Sequence, residues 1–65
     1  MDAVEKDLLA RYDEIKAEIK AIFVANFKIT GWDVPEADEV EVKIKLLDLM
    51  QKALDEVRQE VLSEK

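Results

Sequence analysis

The sequence predicts an α+β domain of 65 residues with the order helix, strand, strand, helix (αββα). Apolar side chains recur every three or four residues in both end segments, and they alternate with charged ones in residues 40–46. The single Gly and the single Pro, Gly31 and Pro35, both lie in the middle. We therefore expect both helices to pack on one face of a two-stranded antiparallel sheet. The alternative is an all-α helical hairpin.

The first predicted helix covers about residues 2–25. Its apolar stripe consists of Val4, Leu8, Tyr12, Ile15, Ile19 and Ile22. Spacings of three and four are typical of a helix face that packs on a core. Asn26 continues the same line, and Asn tolerates the left-handed conformation found at helix C-termini. Asn26 is therefore the predicted end of this helix.

The segment after Asn26 is interpreted as the first strand. Phe27 and Ile29 alternate with polar residues, and after Gly31 the alternation continues in the opposite phase with Trp32 and Val34. A glycine that shifts the phase by one residue indicates a β-bulge. The four apolar side chains would then share one face, and residues 35–38 would form the turn.

Residues 40–46, VEVKIKL, give the clearest strand pattern. Apolar and charged residues alternate without exception, and three of the four apolar residues are β-branched, as is typical of strands. A second amphipathic helix follows at about residues 47–63, with leucines and valines along one side.

The helical-hairpin alternative has its own capping chemistry. Gly31 would follow the C-terminus of a long first helix, with Trp32 as its hydrophobic contact. Asp33 would be the N-cap of the second helix, and Glu36 would complete a capping box.

Composition argues against several function classes. The chain has 10 Lys and Arg against 16 Asp and Glu, a net charge of −6, and neither Cys nor His. Ser63 and Thr30 therefore have no imidazole to act as their base, and we expect neither an enzyme nor a cofactor. An acidic chain is also not expected to bind nucleic acid. The acidic residues between Asp33 and Glu41 lack the spacing of an EF-hand, so we interpret them as a solvated surface.

The sequence also gives an expectation about location. Its longest uncharged run, residues 21–27, is far shorter than the roughly 20 residues of a membrane-spanning helix. The first twenty residues carry charges of both signs, unlike a signal peptide. We therefore expect a soluble, cytoplasmic, single-domain protein without membrane contact.

Residues 21–32, AIFVANFKITGW, hold more large apolar side chains than a core of this size accommodates. Because aromatic anchors dominate protein interfaces, four residues are predicted to bind a protein partner or a second copy of the chain: Val24, Phe27, Trp32 and Val34. The free edges of the predicted sheet offer a second route to such pairing.

Over its whole length the sequence resembles de novo designed miniproteins. The resemblance lies in helices rich in Glu, Lys, Leu and Ala, in acid-to-base pairs four residues apart, and in the segment EVEVKIK. It implies a non-catalytic scaffold or protein-binding module. A self-assembling homodimer and a natural acidic inhibitor that mimics nucleic acid are the alternatives.

Overall fold

The computed structural model describes residues 2–64, and this part of the chain contains helices and no strand. The helices are α1 (Ala3–Ala10), α2 (Tyr12–Asp33) and α3 (Glu39–Ser63). The predicted α+β class with αββα order is therefore wrong, and the all-α hairpin is the fold. The turn expected at residues 35–38 does connect two elements, but both are helices.

Residues 40–46 are helical because their alternation also fits a helix. Apolar residues at every second position form two interleaved pairs, each with the four-residue spacing of one helix side. Val42 and Leu46 form the half-buried pair, whereas Val40 and Ile44 lie on another side and are exposed. The Val42 amide donates to the Asp38 carbonyl four residues back, at 3.0 Å. A two-stranded sheet on its own is marginal, so the local β preference does not prevail.

The start of α3 lies well before the predicted residue 47 because Asp38 caps it. The Asp38 carboxylate accepts a hydrogen bond from the Val40 amide at 3.0 Å. One turn further on, Lys45 Nζ lies 2.7 Å from a Glu41 carboxylate oxygen. The hydrogen bond and the charge of Glu41 raise the pKa of Lys45. Glu41 and Lys45, two charged residues of the predicted strand, thus stabilise a helix.

The predicted helix at residues 2–25 is two helices in the structure. Asp2 caps α1 by accepting from the Glu5 amide at 2.7 Å. At Arg11, φ is −103° and ψ is 2°, and its amide donates to the Leu8 carbonyl three residues back. This single tightened turn separates α1 from α2.

Asn26 does not end the helix as predicted. Its side-chain amide donates to the Ile22 carbonyl at 2.8 Å, so the helix satisfies it locally. The helix ends at Asp33 instead, because Pro35 disfavours the helical conformation at Val34. Val34 adopts φ −133° and ψ 73°.

Gly31 lies inside α2 with a negative φ. The predicted β-bulge is therefore wrong, and so is the role of Gly31 after a helix C-terminus in the hairpin alternative. The same alternative placed the N-cap at Asp33, which is the last residue of α2; Asp38 holds that role.

The contact between α2 and α3 is confined to the end of the hairpin near the connecting segment. Within the described range 2–64, all half-buried side chains lie there: Phe23, Phe27, Thr30, Ala37, Val42, Leu46 and Met50. The rings of Phe23 and Phe27 stack with centroids 5.8 Å apart, and Lys43 Nζ lies 5.7 Å from the Phe27 centroid. No described residue is fully buried, and the Cα atoms extend over 49 × 26 × 15 Å. The hairpin therefore has a contact but no core.

Gly31→Ala is expected to stabilise the chain by about 0.5–1 kcal/mol, because Ala exceeds Gly in helix propensity by about that amount. A Cβ built at Gly31 meets no atom within 4 Å, so no clash offsets the gain. Urea unfolding followed by far-ultraviolet circular dichroism measures the change. A loss of stability would contradict the helical assignment.

Asp38→Ala is expected to lower the free energy of unfolding by about 1 kcal/mol, because the Val40 amide loses its acceptor. Glu36→Ala is the matched control, since it removes a nearby carboxylate that makes no cap. Asp38→Asn should retain most of the stability. Equal losses for Asp38→Ala and Glu36→Ala would show that charge, not capping, matters here.

Candidate interaction surfaces

One uncovered apolar surface is the α1–α2 stripe, defined by Val4, Leu8, Tyr12, Ile15, Ile19 and Ile22. The exposed fraction of these side chains lies between 41% at Ile15 and 66% at Val4. The sequence predicts this stripe to face a core, but within residues 2–64 no element covers it. The spacing is that of a helix face that is normally buried, and here it is exposed.

A second uncovered surface lies on α3 beyond the hairpin contact. Leu54, Val57 and Val61 continue the side of the helix that carries Leu46 and Met50. All three are about half exposed, whereas Leu46 and Met50 are partly covered. The covered positions stop at Met50 on α3 and at Phe23 on α2, so the apolar sides of the two arms do not close on each other.

A shallow apolar groove runs along α2 and contains two of the predicted binding residues, Val24 and Trp32. The groove is also lined by Ala17, Ala21 and Ala25, and by Lys20 and Lys28. Trp32 is 78% exposed, which makes it the most exposed large apolar side chain among the described residues.

The other two predicted binding residues, Phe27 and Val34, lie in a separate notch between α2, the connecting segment and α3. Residues 27 and 32 are five apart, which places their side chains about 140° apart around a helix. On the predicted strand they would have shared a face. The structure therefore brings the four residues together as two pairs in two places, not as one patch.

The polar interactions of the described residues are local. Arg11 lies 3.9 Å from Asp7, and Gln51 donates to Asp55 at 3.1 Å. Like the Glu41–Lys45 pair, each joins residues four apart on one helix. Between residues 2 and 64, no group of three or more acidic side chains is arranged to hold a metal ion. No helix in that range combines the length and apolar character needed to cross a membrane.

Comparison with known proteins adds no relative. No protein family, curated protein or solved structure matches the chain. The resemblance to designed miniproteins stays a prediction, and the function is argued from the surfaces described above.

Sequence reasoning missed the α1–α2 stripe as an interaction surface because it assigned the stripe to a core. Two helices of a hairpin can cover each other's apolar stripes, so periodicity alone gave no signal that this stripe is open. The stripe is uncovered because α3 contacts α2 on the side of Phe23, Phe27 and Thr30.

Phe27→Ala and Trp32→Ala are expected to differ in their effect on folding. Phe27 stacks on Phe23 and lies beneath Lys43, so its loss should lower the free energy of unfolding by about 1–2 kcal/mol. Trp32 projects into solvent, and its loss should change stability by less than about 0.5 kcal/mol. Urea unfolding of both variants measures the difference. A larger loss for Trp32→Ala would contradict the placement of the two rings.

Proposed function

We propose that this chain is a non-catalytic helical interaction module whose α1–α2 stripe is covered by an apolar helix of a binding partner. The observation that carries the proposal is the absence of any fully buried residue between 2 and 64, although 49% of the sequence is hydrophobic. Apolar side chains at helix-face spacing are stable against another apolar surface, and in this chain they face solvent.

The size of the exposed surface also supports an interaction module. The chain exposes 6101 Å², whereas a compact protein of 7.5 kDa exposes about 4,200 Å² by the usual scaling, so the excess is about 1,900 Å². The conformational entropy lost in ordering two long arms has to be offset by burial. Association with another helix supplies that burial.

The arrangement of polar groups supports a binding role over a catalytic one. The Ser63 hydroxyl donates to the Glu60 carbonyl at 3.0 Å, within its own helix. The side-chain hydrogen bonds and ion pairs of the described residues each join positions at most four apart. Catalysis by paired groups needs side chains that converge from separate segments on one cleft.

The test is urea unfolding of the chain at concentrations where sedimentation shows a monomer. We expect a broad transition with an m-value below the roughly 1 kcal/mol/M of small compact proteins, because little surface is buried. A steep transition at these concentrations, typical of a self-sufficient domain, would contradict the proposal.

Two variants sharpen this test. Ile15→Asp should leave the unfolding of the monomer nearly unchanged, because Ile15 is exposed and lies outside the half-buried α2–α3 contact. Leu46→Asp should destabilise the monomer strongly, because Leu46 lies in the α2–α3 contact. The same Ile15→Asp change should remove binding of the partner. Equal destabilisation of the monomer by both variants would show that the arms close on each other.

A further inference from the structure

We propose that the helix covering the α1–α2 stripe is the same stripe of a second copy of this chain, running antiparallel in a two-fold symmetric dimer. This inference rests on the proposed function and names its partner. It is carried by three features of the stripe: its period, its charged flanks and the surface it leaves exposed.

The α1–α2 stripe has the period of a helix–helix interface, and its residues from Leu8 to Ile22 are called the seam below. From Leu8 to Ile22 the apolar positions are separated alternately by four and three residues, the 3.5-residue repeat of a coiled coil. The seam is available because α3 packs on another side of α2, that of Phe23, Phe27 and Thr30. That side is centred roughly 65° around the helix from the seam. A second helix can therefore lie along the seam beside α3 without displacing it.

In an antiparallel dimer, apolar positions of the seam on one copy face apolar positions of the seam on the other. With Tyr12 opposite the partner's Ile15, Leu8 lies opposite the partner's Ile19. The same register places Glu5, with Val4 beside it, at the level of the partner's Ile22. In a two-fold symmetric interface each of these pairings occurs twice. The register pairs apolar residues in the four central layers, between Leu8 and Ile19.

The charged flanks favour the antiparallel orientation. Glu18 lies in α2, and Arg11 lies at the turn just before it. Their seven-residue spacing places both on the same side of the seam, and Lys16 borders it on the other. In the antiparallel register Arg11 lies across from the partner's Glu18, which gives two ion pairs per dimer. In a parallel dimer Arg11 would face the partner's Lys16, a repulsive pair. Arg11 is only loosely held at 3.9 Å from Asp7, and both side chains are exposed, so it is available.

Asn26 fits the same register. It occupies the next position of the seam after Ile22, and its side chain is already bonded to the Ile22 carbonyl. The antiparallel overlap between Val4 and Ile22 leaves Asn26 outside the apolar layers. A parallel dimer would place two Asn26 side chains face to face inside the seam.

The surface that the chain exposes in excess is large enough to include a dimer interface. Permanent dimers bury about 2,000–5,000 Å² in total, or about 1,000–2,500 Å² per chain. The excess of about 1,900 Å² over a compact protein of this mass lies inside that range. The α1–α2 stripe, the α3 surface and the groove share this excess, and a second copy on the stripe covers the part that belongs to the stripe.

The experiment is sedimentation equilibrium of the full chain with a charge-swap series. We expect a species of twice 7.5 kDa. Arg11→Glu alone and Glu18→Arg alone should each weaken the dimer about tenfold or more, because two attractive pairs become repulsive. The double variant, Arg11→Glu with Glu18→Arg, should return to within about threefold of the original affinity. Lys20→Glu, an equal charge change away from the seam, is the control and should have little effect.

Each outcome of the charge-swap series supports or overturns the antiparallel dimer. A dimer with restored affinity in the double variant supports the antiparallel seam. A dimer that Arg11→Glu strengthens has the parallel orientation and overturns the proposal. A monomer with a broad urea transition also overturns it but leaves the interaction module intact, with a different partner. A monomer with a steep transition overturns both.

Discussion

The apolar contact at the closed end of the hairpin is the interaction on which the arrangement of the helices depends. Phe23 and Phe27 on α2, with Val42 and Leu46 on α3, are the half-buried residues that hold the two helices together. Their four-residue spacing on each helix brings them onto the facing sides. The connecting segment is short because Pro35 ends one helix and Asp38 begins the next. Beyond this contact, the helices are held only by the hydrogen bonds within their own backbone.

Because the apolar contact between α2 and α3 is confined to one end, the rest of each helix depends on its own internal interactions. Caps and ion pairs are satisfied within single helices, so each helix is specified by nearby residues and does not need the other for its polar groups. Segments with few apolar contacts open at low free energy compared with a packed core. We therefore expect the arms that carry the α1–α2 stripe and Val57 to be easily reoriented. Such arms can adjust to a partner at little cost in internal contacts.

The sequence predicted part of this correctly, and the reasons for the remainder are physical. Helices near both ends and the turn after Pro35 follow from strong periodicity and from the chemistry of proline. The alternation in residues 40–46 does not distinguish a strand from a helix. Apolar residues at every second position also form two pairs at four-residue spacing, each on one side of a helix. The cap at Asp38 and the Glu41–Lys45 pair favour the helix, and their effect depends on where the helix starts. The assignment of Phe27 and Trp32 to one surface failed with the strand, because a helix turns them apart.

The α1–α2 stripe shows why core and interface are hard to distinguish in a short sequence. Burial of an apolar side chain is favourable by the same amount per unit area whether the covering atoms belong to the same chain or to another. The pattern of Leu8, Ile15 and Ile19 therefore predicts that something covers them, but not what does. In a longer chain a further layer would cover them. Here α3 contacts α2 at Phe23 and Phe27 and leaves the stripe open. In the proposed dimer, the charges of Arg11 and Glu18 beside the seam would distinguish a second copy from an unrelated helix.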